Sequence, residues 1–139
     1  MGFQISIEGG SKIDLSVKTI EAVEFLAEVP ADSNARSASL AATMKITGKI
    51  LTLFEGSEES LALSEWSRVP TTDAECYRKV TVDVIAAGQI VREYVFTKAF
   101  IVDYTEEFDD ESGTGTFELI VRQKKDDITD VEISGGFSA

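Results

Sequence analysis

Between residues 77 and 124 apolar and polar side chains alternate with a period of two, interrupted only by short turns. Val80, Val82, Val84 and Ala86 share one parity, and after an Ala87-Gly88 turn Ile90, Tyr94 and Phe96 share another. Such alternation sets one apolar face on a core and leaves a second face for water or a partner, so the two runs predict a hairpin. Residues 99–108 predict a further strand, with Phe100, Val102 and Tyr104 on one face. Ala99 and Ile101 give its other face an apolar start that gives way to Asp103 and Thr105, so one end is expected to be covered on both sides. A polar turn at residues 109–115 leads to Phe117, Leu119 and Val121, which alternate with Glu118, Ile120 and Arg122. Ile120 breaks the otherwise wet side of that strand and marks a candidate partner surface.

The first half of the chain follows the same grammar. Phe3, Ile5 and Ile7 predict an opening strand closed by Gly9-Gly10, and Ile13, Leu15 and Val17 predict a second. The apolar parity slips at Thr19-Ile20, where Ile20 and Ala22 take the other side, as at a bulge or bend. Residues 28–39 are small and polar, interrupted by Pro30, and read as a long exposed loop, a length associated with function or disorder. Leu40, Ala42, Met44, Ile46 and Ile50 predict a third strand in which Gly48 marks a bulge or the close approach of another backbone. A helix is expected over residues 57–69: Ser57 suits the N-cap, Glu58 and Glu59 the first turn, and Ala62, Trp66 and Val69 recur at helical spacing. Trp66 is its expected anchor, and Val69-Pro70 ends it. Ile128, Val131 and Ile133 predict a short last strand before a frayed Gly135-Gly136 end. Seven or eight strands, one helix and no βαβ spacing give a mainly β fold, an antiparallel barrel or sandwich with one helix against it.

Composition narrows the function. At 139 residues with 43% hydrophobic and 27% charged positions, residues 1–139 read as a single domain. No apolar run approaches the ~18 residues of a membrane span, so membrane insertion is not expected. No basic segment followed by an apolar run opens the chain, so synthesis and folding are expected in the cytoplasm. The formal charge of −12, with 25 acidic and 13 basic residues, argues against binding to a phosphate backbone. With no His and one Cys, the chain holds no zinc set, no Ser-His or Cys-His nucleophile and no internal disulfide. Asp109-Asp110-Glu111 lacks the alternate ligand spacing of a calcium loop and reads as a solvated hairpin tip, as do Asp126, Asp127 and Asp130. Cys76 reads as a half-buried bystander. Arg68, Arg78, Arg92 and Arg122 lie among Asp83, Glu93 and Glu118, a pattern that favours cross-strand or intersubunit ion pairs over an anion pocket. No catalytic, cofactor-binding or metal residues emerge, and an enzyme is not expected.

The succession of Leu63-x-x-Trp66 on a helix, Tyr77-Arg78 opening a strand of valines, Gly88, Arg92-Glu93-Tyr94-Val95-Phe96 and Lys98-Ala99-Phe100 resembles the tube proteins of contractile injection machines. That superfamily includes phage tail tube proteins and the haemolysin-coregulated protein (Hcp) of type VI secretion, and the resemblance spans residues 40–125. It implies an antiparallel β-barrel with one flanking helix that forms homo-hexameric rings. The rings would stack into a tube for translocated cargo or DNA, with sheath and baseplate proteins as partners and no sequence-specific nucleic-acid binding. It implies that the particle carrying the tube leaves the cytoplasm, and that the loop at residues 28–39, including Pro30, Asn34 and Arg36, reaches the next ring. Ile101, Ile120, Arg78, Arg92 and Glu93 are the positions expected to touch neighbouring subunits. The rival expectation is a monomeric β-barrel that holds a small ligand or peptide in its mouth.

Overall fold

The computed structural model describes residues 1–9, 12–28, 41–50, 57–70, 72, 74–110, 115–123 and 132–135. Eight strands run β1 Gly2–Glu8, β2 Ile13–Leu15, β3 Ile20–Glu28, β4 Ala41–Ile50, β5 Arg78–Ala86, β6 Gln89–Phe108, β7 Gly115–Gln123 and β8 Glu132–Gly135. Helix α1, Ser57–Ser67, lies between β4 and β5, and a 3₁₀ turn, Ala74–Cys76, precedes β5. All strand pairs are antiparallel, in the order β2-β1-β5-β6-β7-β4-β3, with β8 added against β6.

The expected barrel is therefore a rolled but open sheet. Its two ends, β2 and β3, are consecutive in the chain and are separated only by residues 16–19. There the Thr19 and Ile20 amides donate to the Ser16 carbonyl, at 2.9 and 3.3 Å. Among the described strands β2 pairs only with β1 and β3 only with β4, so the roll stops short of closure. The parity slip at Thr19-Ile20 is this turn, followed by a register shift between Ile20 and Ala22. Val17, expected on the apolar side of the second strand, lies in the turn and is exposed.

The inner face carries the core predicted from alternation: Ile5, Ile7, Ile13, Leu15, Met44, Ile46, Val80, Val82, Phe117, Leu119 and Val121 are buried. Gly48 is where the expected close approach occurs. A Cβ there would stand 2.5 Å from the Phe117 ring and 2.7 Å from the Thr19 carbonyl oxygen, and the Lys49 amide donates to that same carbonyl at 2.7 Å. Helix α1 seats Leu63 and Trp66 in the core. Its expected end at 69 is shortened because the Arg68 and Val69 amides turn to the carbonyls of Glu65 and Trp66, a tightening of the last turn before Pro70. The predicted Ser57 cap and the Glu58 and Glu59 side chains lie outside the described side chains.

The hairpin turn falls where expected. Ala87 and Gly88 both take positive φ, 53° and 75°, the combination that matches the right-handed twist of the flanking strands. Beyond it the chain departs from the reading of two separate strands: β6 is one strand of 20 residues. Its first half pairs with β5 and its second half with β7, on opposite sides. β8 continues the lane of β7 alongside the first half of β6. Gln123, buried at the end of β7, bridges the break between β7 and β8. Its side-chain oxygen accepts from the Lys98 amide at 3.1 Å and its nitrogen donates to Thr97 Oγ1 at 3.1 Å.

Candidate assembly surface

Strands β3, β4, β7 and the second half of β6 form a continuous four-stranded surface, and their register fixes what its outer side presents. One row reads Leu26, Thr43, Arg122, Phe100; the next reads Glu24, Lys45, Ile120, Asp103; a third reads Ala22, Thr47, Glu118, Thr105. The face is rich in threonine and mixed in charge. Lys45 Nζ lies 3.7 Å from a Glu118 carboxylate oxygen, and Arg122 Nε donates to Thr43 Oγ1 at 3.2 Å. A shallow concavity along it is lined by Thr47, Thr105, Glu107, Thr116, Phe117 and Glu118. It is polar and open, unlike the apolar mouth that a ligand-binding barrel requires.

Both edges of this face are open. β3 pairs only with β4, and the second half of β6 pairs only with β7, so no described strand covers their outer sides. An unpaired edge of this length presents a row of backbone N–H and C=O groups to any strand that approaches. Leu26 and Val102, 45% exposed each, sit on the two edge strands. Val102 owes its place to a bulge: Ile101 pairs with Val121 and Asp103 with Ile120, leaving Val102 as the extra residue. The bulge also corrects the expected faces of this strand, because Ile101 shares the inner side with Tyr104 whereas Phe100 lies outside. Tyr104 donates to Glu106 Oε1 at 2.7 Å, and burial together with that carboxylate pushes its phenol far up, so it stays protonated.

The predicted contact residues fall at separate places. Ile120 lies on the four-stranded face between Lys45 and Asp103, half-buried. Ile101 packs against the chain's own core, and Ile20, the third residue that broke the alternation, is buried within it. Arg78 is buried over the Trp66 ring of α1, its guanidinium carbon 5.2 Å from the ring centre. Trp66 Nε1 in turn donates to the Cys76 carbonyl at 2.9 Å, and Cys76 is buried rather than half-buried. Arg92 is exposed near the hairpin tip. Pro30, Asn34 and Arg36 lie outside the described residues, as do Glu111, Asp126, Asp127 and Asp130.

Of the cross-strand or intersubunit pairings expected of the arginines, one between Arg92 and Asp83 is not set up by the β5–β6 register. Counted back from the two-residue turn, Asp83 would face Arg92. A bulge at Val91 moves the register by one, so Val84 faces Arg92 and Asp83 faces Glu93. Desolvation first, then the hydrogen bond and charge of Glu93, push the Asp83 carboxyl up to about 6. Its Oδ1 is shielded from solvent without a hydrogen-bond partner. Lysines form the ion pairs Lys12–Asp14, at 4.0 Å, and Lys45–Glu118, at 3.7 Å. Among the described residues no group of three or more His, Cys, Asp or Glu side chains is placed to hold a metal ion, and no helix is long and apolar enough to cross a membrane.

No family model matches the chain, and no curated protein matches it. Solved structures do. Hcp1 from Flavobacterium johnsoniae is similar over 100% of both chains, with 19% identity and a TM-score of 0.60. Hcp1 from the E. coli EAEC 042 pathovar is similar over 99% of both chains, with 13% identity and a TM-score of 0.56. A chain of the sheath-tube complex of the extracellular contractile injection system PVC covers 96% of this chain and 88% of its own, with 13% identity and a TM-score of 0.54. At such identities the likeness is one of architecture, and the architecture is that of Hcp and the tube proteins of contractile injection systems.

Proposed function

We propose that this protein is a ring-forming structural subunit, six copies to a ring, whose rings stack into the inner tube of a contractile injection machine. The observation that carries the reading is the rolled sheet with two edges that no described strand pairs, flanking one broad polar face. Copies joined edge to edge would extend that face around a ring and satisfy both rows of backbone groups. Structural neighbours with the same roll occur in tube and sheath-tube assemblies, which supports the same use here. Sheath and baseplate proteins are then the outer partners, and cargo or DNA travels along the face that carries Thr47, Thr105 and Glu118. The edge residues Leu26 and Val102 are assigned to the contact with the adjacent subunit, and Ile120, on β7 within the same face, to the surface along which cargo travels rather than to that contact. Arg92 and Glu93 near the hairpin tip, with Pro30, Asn34 and Arg36, are assigned to contacts between subunits or rings. Arg78 and Ile101 support those surfaces from within.

Light scattering on the purified chain tests this. The wild type is expected at six times its 15.1 kDa mass or higher. Leu26→Lys and Val102→Lys, which place a charge on each open edge, are expected to run as monomers with an unchanged melting temperature. A monomeric wild type across concentration contradicts the reading.

A further inference from the structure

Two carboxyl groups face each other where the fold could have placed an arginine. The bulge at Val91 sets Asp83 of β5 directly opposite Glu93 of β6. Across the sheet the row continues to Gln4 of β1 on one side and Ser134 of β8 on the other. The neighbouring positions on this face are Ser6, Thr81 and Val95, then Glu132 by register. In the opposite direction lie Gly2, Ile85 and Ile90, with the Met1 amino group beyond Gly2. Arg92 stands opposite Val84 on the other side of the strand. Among the described side chains no basic one shares the row. Among the described residues no cation therefore stands opposite the pair in its row, and Asp83 Oδ1 is shielded without a hydrogen-bond partner.

Two like charges this close are destabilising when both are ionised, whereas one shared proton turns the contact into a short carboxyl-carboxylate hydrogen bond. The strand with most to lose is β8. It is held by four residue pairs, all to the Arg92–Val95 segment of β6 that carries Glu93, and it pairs with no other described strand. Ile133, Ser134 and Gly135 are exposed, so little burial compensates for a weakened ladder.

We propose that Asp83 and Glu93 form a proton-holding clasp that fastens the C-terminal strand β8 when they share a proton and loosens it when both are charged. The burial that pushes Asp83 up to about 6 places the change in the mildly acidic range. The inference rests on the register and burial within one chain and holds whether or not rings assemble.

Amide hydrogen exchange on the full chain between pH 5 and pH 8, corrected for the intrinsic pH dependence of exchange, reads it. Protection of the Ile133, Ser134 and Gly135 amides is expected to fall several-fold as pH rises through 6 in the wild type. It is expected to stay flat in Asp83→Asn and in Glu93→Gln, where one partner is permanently neutral. An unchanged wild-type protection, or the same fall in both variants, overturns the proposal. Should a variant not fold, carbon-13 titration of the wild-type carboxyls decides: one of the two must titrate near pH 6, and both titrating below about 5 refutes the clasp.

Discussion

Trp66 is the residue on which the helix depends. It fills the space between α1 and the sheet, stacks beneath Arg78, and spends its indole N–H on the Cys76 carbonyl. Trp66→Ala is expected to cost about 3–5 kcal/mol in urea unfolding. Trp66→Phe keeps most of the apolar volume but loses the hydrogen bond to Cys76, and should cost about 1–3 kcal/mol. Equal losses for the two variants would show that volume alone matters there. Asp83 gives the molecule a pH signature of definite sign. Its folded value of about 6 lies above the ordinary 3.8, so the folded state holds the proton more tightly than the unfolded chain. That contribution to stability is fully present below about pH 4 and is lost as pH rises through 6. Asp83→Asn should accordingly melt above the wild type at pH 8, with the difference shrinking and reversing toward pH 4. A difference independent of pH would contradict the assignment.

At the scale of elements, turns and bulges decide more than strands do. Ala87 holds φ at 53° in a two-residue turn, a conformation that costs a residue with a Cβ about 1–2 kcal/mol. Ala87→Asn should raise stability by about 1 kcal/mol, and a loss measured by the same unfolding experiment would place the strain elsewhere. Gly48→Ala should do the reverse. Its new methyl would press on the Phe117 ring and the Thr19 carbonyl, at a cost of about 1–3 kcal/mol.

These same features separate what the sequence discloses from what it conceals. Alternation at Ile5, Ile7, Met44, Ile46, Val80, Val82, Leu119 and Val121 identifies the inner face, because burial demands apolar side chains at every second position. Trp66 and the Val69-Pro70 stop locate the helix for equally local reasons. The bulges at Val91 and Val102 are silent, since one extra residue in a strand alters the partner across the sheet without altering composition. Hence Asp83 meets Glu93 instead of Arg92, and Phe100 and Tyr104 part to opposite faces. The continuity of β6 is equally hidden: the alternation lapses between Phe96 and Phe100 and so reads as two strands, while Gln123 holds the strand through that point from a distant position. Leu26 and Val102 carry no local mark as edge residues, because an edge is defined by strands that do not pair beside it.

For the whole molecule, the account turns on what the two open edges are for. A chain carrying −12 resists close association with its own copies, and that repulsion is screened within about 10 Å at ~0.1 M salt and within about 3 Å at ~1 M. Association through backbone edges and apolar contacts survives such screening, whereas association through exposed ion pairs weakens. Assembly is therefore predicted to strengthen as salt rises. Negative-stain electron microscopy of the purified full chain, from ~0.1 to ~1 M salt, reads ring formation through the open edges. Six-fold rings that become more numerous and stack into tubes at the higher salt are the predicted result; isolated single protomers at every salt and protein concentration would contradict it.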